Sequence, residues 1–132
     1  MTVLVAYVPT PEGVAALAIG IAEAKWRGSR MVVVNVAVGQ NFADATFADE
    51  KDLDAVRQRL AEEGIAHDIR QILEASDVGG SILEVAGQTR AELIVLGLRR
   101  VSPIGKFLLG STIQDVMRGA DCPVLTVRPP HA

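Results

Sequence analysis

The chain has 132 residues, 49% of them hydrophobic and 22% charged, which is enough for one domain with a continuous core and excludes disorder or low complexity. A formal net charge of −3 speaks against broad binding to nucleic acid or to an anionic membrane surface, since both need a basic face. The single cysteine, Cys122, rules out an internal disulfide framework or a thiolate metal site, and its neighbours Asp121 and Pro123 supply no base to activate it.

Residues 3–8 (VLVAYV) form an apolar run that is too short to span a bilayer and has no basic stretch before it. They read as a first strand, and a soluble cytoplasmic protein is expected. Val14, Leu17, Ala18, Ile21 and Ala22 recur at helical spacing and predict a first helix. Residues 31–38 are a second, valine-rich strand. Unbroken apolar runs of this kind indicate strands covered on both faces, as parallel sheets require. The connection over 39–49 is polar apart from Phe42 and Phe47 and carries Asn41, Asp44 and Thr46. It is expected to fold down as a flap over the carboxyl edge of the sheet. Leu53, Val56, Leu60 and Ala61 mark a second helix that Gly64 stops. Residues 66–72 mix His67, Asp68, Arg70 and Gln71 with Ile69 and Ile72, the pattern of a polar edge strand. Ile82, Val85, Ala86 and Thr89 mark a third helix, with Ser76 or Asp77 as its cap. Residues 93–97 are a fourth strand. Ile113, Val116, Met117 and Ala120 mark a fourth helix with Ser111 at its N-cap, and residues 124–127 are a fifth strand. No internal repeat is visible.

Strict alternation of strand and helix implies right-handed crossovers and a single α/β domain over 1–132, a doubly wound five-stranded parallel sheet with helices on both faces. With a polar edge at the third strand, 3-2-1-4-5 is the simplest strand order. Ligands of such sheets bind beyond the carboxyl ends of the strands, where the winding reverses. Here that point falls between strands 1 and 4, where the loops over 8–12 and 97–111 converge.

The second of these loops suits an anion. Gly97 removes a side chain where backbone must turn or approach a ligand, and Gly110 does the same before the fourth helix. N–H groups near Ser111 and Thr112 have no intrahelical partner and sit at the positive end of the helix dipole. Arg99, Arg100 and Lys106 add three positive charges, with no acidic residue between 97 and 111. A P-loop is absent, because Gly105-Lys106 is followed by Phe107, and no strand leads into a G-x-G-x-x-G turn. Neither an ordinary ATPase nor a dinucleotide-dependent oxidoreductase is supported.

At this loop the sequence resembles the universal stress protein family, and the likeness covers essentially the whole chain. Nucleotide-binding members of that family carry glycine, two residues, glycine, nine residues, glycine, then serine or threonine. Gly97, Gly110 and Ser111 stand at that separation, with Arg100 at the middle glycine position. The segments 91–97 (AELIVLG) and 120–127 (ADCPVLTV) are similar to the family's as well. Members that hold ATP usually end strand 1 with an aspartate against the adenosine, and Val8 stands in that place here. The resemblance implies the adenine-nucleotide alpha hydrolase-like, flavodoxin-like three-layer sandwich. It also implies ATP or AMP as ligand, with magnesium if ATP, no cofactor being required. The candidate nucleotide or phosphate contacts are Pro9, Thr10, Val36, Gly97, Arg99, Arg100, Lys106, Gly110, Ser111 and Thr112. Arg100 either grips a phosphate bidentately or fills the pocket.

Dedicated catalysis is not expected. The histidines are His67, on the polar edge strand, and His131, in the C-terminal tail, and Glu12 is explained by the dipole of the first helix. Asp44 and Asp49 are the acids of the flap, and slow adventitious hydrolysis stays open. Val124, Leu125, Thr126 and Val127 form an apolar edge strand that invites pairing, so a homodimer through strand 5 is expected, unless the tail over 128–132 covers that edge. The sequence names no protein partner. Two readings follow, a nucleotide-binding stress-response module and a nucleotide-free dimeric regulator of protein interactions. A third, an enzyme of the wider adenine-nucleotide fold, would require turnover.

Overall fold

Runs such as Leu4-Val5 and Val32-Val33-Val34 have no polar side to give to water, so they are stable only between two layers of helices. The computed structural model describes residues 1–39, 43–99 and 109–130, and it has that architecture. In chain order the elements are β1 (Thr2–Ala6), α1 (Pro11–Arg27), β2 (Arg30–Val36), α2 (Glu50–Glu62), β3 (His67–Ile72), α3 (Val78–Thr89), β4 (Ala91–Gly97), α4 (Ser111–Gly119) and β5 (Val124–Val127). Every strand pairing is parallel, and the order is β3-β2-β1-β4-β5, as expected from the sequence. Strand 1 ends at Ala6 and strand 2 at Val36, each two residues sooner than their apolar runs suggest. Tyr7 is buried because it closes the top of the core, and Val8 beyond it lines a cavity, so neither extends the strand.

Two cores follow from the alternation of side chains. Val3, Val5, Met31, Val33 and Val95 face α1 and α2, while Leu4, Val32, Val34, Ile94 and Leu96 face α3 and α4. The polar strand β3 is an edge, and β5 is the other.

The buried face of α1 is rotated from the predicted stripe. Leu17 and Ile21 are buried, but Gly13, Ala16, Gly20 and Ala24 complete that face, while Val14 and Ala22 are exposed and Ala18 half-buried. Small residues win because the helix lies close to the sheet, and a Cβ at Gly20 would collide with the Val5 side chain. Ala61 and Met117, read as core positions of α2 and α4, also face solvent, Met117 with 51% of its surface.

Three helices start on side-chain caps. Thr10 Oγ1 accepts from the Gly13 N–H (3.2 Å), Asp49 and Asp52 exchange two bonds of 2.9 Å, and Asp77 Oδ1 accepts from the Gly80 N–H (2.9 Å). At α4 the expected cap is displaced. Gly110, extended at φ −65° and ψ 164°, is the N-cap, Ser111 is already helical, and the N-cap residue has no side chain to accept from the first turn.

Candidate functional site

The carboxyl ends of β1, β2 and β4 open into a cavity of about 770 Å³. Its floor is apolar, formed by Ala6, Val34, Val36 and Leu96 of the sheet with Val78 and Ile82 of α3. The rim carries the polar groups. They are Thr10, Glu12 and Gly13 at the start of α1, Thr46 of the flap, Arg99 after β4, and Gly110, Ser111 and Thr112 at the start of α4. This is the crevice that a doubly wound sheet leaves at its switch point.

Two glycines set its geometry. A Cβ at Gly13 would stand 2.8 Å from the Val8 carbonyl carbon, and one at Gly97 would stand 2.6 Å from that of Glu12. The backbones of the β1 exit, the first turn of α1 and the end of β4 are therefore stacked in direct contact, with no side chain between them. Gly97 was read as a place where backbone must turn or approach a ligand, and what it approaches is the backbone of the chain's own α1. At Gly110 neither the dihedrals nor any described residue demands glycine, since an added Cβ would meet open space.

The flap is held by one buried side chain. Asn35 on β2 is fully buried, and its Nδ2 donates to the carbonyls of Tyr7 (2.9 Å) and Thr46 (2.8 Å). Its Oδ1 accepts from the Ala48 N–H (3.2 Å) and from Gln71 Nε2 (3.0 Å), which also donates to the Ala48 carbonyl (2.7 Å). One amide thus ties the β1 exit to the flap, and Ala45 and Thr46 come to line the cavity. Asp44 tightens the same turn by accepting from the Thr46 N–H (3.0 Å) and hydroxyl (2.8 Å) and from the Gly39 N–H. These bonds, the Thr46 N–H first, hold its carboxyl below the usual range. Asn41 and Phe42 lie outside the described residues. Burial, with Asp52 nearby, pushes the Tyr7 hydroxyl up.

Of the residues singled out from the sequence, Thr10, Val36, Gly97, Arg99, Gly110, Ser111 and Thr112 line this one cavity. Pro9 is not among its lining residues, and Arg100, Lys106 and His131 lie outside the described residues. Val8 lines the cavity at the β1 exit. His67 sits on the outer strand β3 with Nδ1 2.8 Å from the Ile65 carbonyl, and it does not line the cavity. Cys122 is half-buried beside the α3–α4 core, and burial, with Asp121 adjacent, raises its thiol. Sequence reasoning missed Gly13 and Asn35. Among the described residues no helix is long and apolar enough to cross a membrane.

Comparison with known proteins places this geometry. Residues 1–128 match the profile of the universal stress protein family. A universal stress protein of Mycolicibacterium smegmatis is 36% identical over 127 residues, spanning 96% of this chain and 97% of the relative. Two solved structures share the fold. The universal stress protein from Archaeoglobus fulgidus in complex with dAMP aligns with a TM-score of 0.61 at 21% identity, over 96% of this chain and 95% of that one. A universal stress protein family protein from Arabidopsis thaliana with AMP bound aligns with a TM-score of 0.65 at 15% identity, over 98% and 92%.

Proposed function

The chain belongs to the universal stress protein family, and we propose that it is a stress-response binding module whose cavity reversibly holds an adenine nucleotide or another phosphate-bearing ligand, without dedicated catalysis. The observation that carries this reading is the start of α4. Its N-cap is glycine, which brings no capping side chain, and Ser111, Thr112 and Arg99 stand at the same rim. Bare N–H groups at the positive end of a helix are an anion site, and two hydroxyls and a guanidinium extend it. The apolar floor of Val34, Val36 and Ile82 suits the flat face of a base, and the Thr10 and Thr46 hydroxyls flank the space between. The nucleotides held by the two solved relatives support the same ligand class.

Among the described residues no three His, Cys, Asp or Glu side chains converge to hold a metal. Magnesium arriving with ATP would therefore come bound to the triphosphate. Glu12 is the one acid at the rim, at the start of α1, where the helix dipole accounts for it.

Calorimetric titration with ATP, AMP and cyclic AMP tests the reading. Saturable binding that weakens about tenfold in Ser111→Ala and in Arg99→Ala is expected, the size of one charge-assisted hydrogen bond. Absence of heat with all three ligands, and of any nucleotide co-purifying with the protein, overturns it.

The second reading is a nucleotide-free dimeric regulator. It is favoured by Val8, which gives the cavity wall a methyl surface where sugar hydroxyls would seek an acceptor. In either reading we propose a homodimer through Val124, Leu125, Thr126 and Val127 of β5, the outermost and half-buried strand. A charge on that edge, Thr126→Lys, should convert the dimer to monomer in sedimentation.

A further inference from the structure

The order of the strands also orders a nucleotide laid in the cavity. The apolar floor that suits a base lies at the end of β2, from Val34 and Val36, with Ile82 of α3. The anion site lies after β4, from Arg99 and the start of α4. Strand β1 runs between β2 and β4. The sugar that joins base to phosphate therefore lies over the exit of β1, where Val8, Thr10 and Glu12 line the cavity. A ribose brings two adjacent hydroxyls to that place, and each needs an acceptor once its water is displaced.

Most acceptors there are already in use. Val8 has only methyl groups to offer, and its carbonyl accepts from the Thr10 N–H (2.8 Å). The Tyr7 carbonyl accepts from Asn35 Nδ2 (2.9 Å), and the Tyr7 ring belongs to the core under α1 and α2. Thr10 Oγ1 accepts from the Gly13 N–H (3.2 Å), and the Thr10 carbonyl from the Val14 N–H (2.9 Å). Across the cavity, Thr46 Oγ1 donates its proton to Asp44 (2.8 Å) and accepts from the Val38 N–H (3.0 Å).

Glu12 differs from all of these. It is half-buried, it lines the cavity, and no described residue bonds to or pairs with its carboxylate. Its backbone rests on Gly97, at the seam between the β1 and β4 exits. The dipole of α1 favours an acid anywhere in this turn, but it gives no reason for that acid to line the cavity.

We propose that the Glu12 carboxylate reads the sugar of the bound nucleotide by accepting from its 2′ and 3′ hydroxyls, so that the site selects ribonucleotides with both hydroxyls free. This rests on the reading that the cavity takes a nucleotide, and it supplies the acceptor that Val8 lacks. Two carboxylate oxygens match two adjacent hydroxyls, and one acidic side chain fills the same role in dinucleotide-binding doubly wound sheets. The same charge repels a phosphate placed on either hydroxyl.

Calorimetric titration with AMP and with 2′,3′-dideoxy-AMP tests the proposal. The protein should bind AMP about tenfold more tightly, the size of a hydrogen bond to a charged acceptor. Glu12→Ala leaves the Thr10 cap and the core in place. It should bring AMP down to the affinity of the dideoxy ligand, while the dideoxy ligand binds no more weakly than before. Equal affinity of the parent protein for the two ligands overturns the proposal and leaves the nucleotide reading standing. A preference that survives in Glu12→Ala also overturns it, as does a change by the same factor for both ligands, which would mean that the carboxylate acts through its charge alone. If neither ligand binds, the nucleotide reading falls and this proposal falls with it.

Discussion

Replacing Asn35 with leucine, a side chain of similar branched outline but larger volume, removes a hub rather than a contact. Four hydrogen bonds of 2.8–3.2 Å disappear together. Gln71 keeps its bond to the Ala48 carbonyl, so the groups left behind are the Ala48 N–H and the carbonyls of Tyr7 and Thr46. An unsatisfied buried donor costs ~1–3 kcal/mol and an under-satisfied carbonyl less, and the added apolar burial returns about 1 kcal/mol, so a net loss of ~3 kcal/mol is expected. For a chain of this size that lowers Tm by roughly 10 °C. Urea unfolding should show the loss as a shifted midpoint with an unchanged slope. Asn35→Asp separates the donor half of the hub from the acceptor half. Both acceptor bonds survive, while the new carboxyl faces two carbonyl oxygens, which favours its neutral form and raises its folded pKa above the unfolded one. The folded state then binds more protons, so stability relative to the parent is greatest below the unfolded value and is lost as the pH rises from there through the raised folded one. A loss below about 1 kcal/mol for Asn35→Leu, or an Asn35→Asp deficit that does not change between acid and neutral pH, would refute the hub.

Gly13→Ala should cost more than the ~1 kcal/mol at most that a helical glycine-to-alanine change gains, because its Cβ meets Val8 backbone, which cannot rotate away. Denaturant unfolding should show a net loss of ~1–3 kcal/mol, with ligand affinity falling alongside as the β1 exit moves. Asp44 has a lowered pKa, so its grip on the flap is complete above the ordinary carboxylate range and is lost as pH falls through the lowered value. In NMR the Thr46 and Gly39 amide shifts should titrate together at a pH below that of an exposed aspartate. Cys122, with its thiol raised by burial, should be alkylated more slowly in the native protein than in urea at the same mildly alkaline pH, and equal rates would place it at the surface.

Much of the fold was legible because its signals are one-dimensional. Valine runs without polar breaks require two covering layers, the polar mixture of His67 to Gln71 requires an edge, and short connections then leave few ways to wind the sheet. What periodicity misjudged was the distance between layers. The stripe Val14, Leu17, Ala18, Ile21, Ala22 assumes that large apolar residues mark the buried face, whereas α1 approaches so closely that Gly13, Ala16, Gly20 and Ala24 fit better. Of the displaced residues, Ala22 turns to solvent together with Ile19 and Trp26, and Ala18 is left half-buried beside them. Close packing inside and an apolar surface outside are therefore one feature of α1.

The cavity's location was legible for the same topological reason, but its construction was not. Thr10, Gly97, Arg99, Gly110, Ser111 and Thr112 could be read because helix starts and turn residues carry local signatures, and all of them line it. Asn35 could not, since a lone amide in a valine strand says nothing about which loop will return to it. Its four partners come from residues 7, 46, 48 and 71, brought together only by the parallel register of β1, β2 and β3. Gly97 was found for a reason the structure replaces. A ligand beyond β4 and the α1 backbone beneath it both need that position bare, and only the second need is met by the chain itself. Ligand contact at Gly97 is therefore better judged against Gly110, where no described residue requires the missing side chain. Gly110→Ala, in a backbone any residue can adopt, should weaken phosphate binding at the cost only of a poorer N-cap, below about 1 kcal/mol. Gly97→Ala would disturb both.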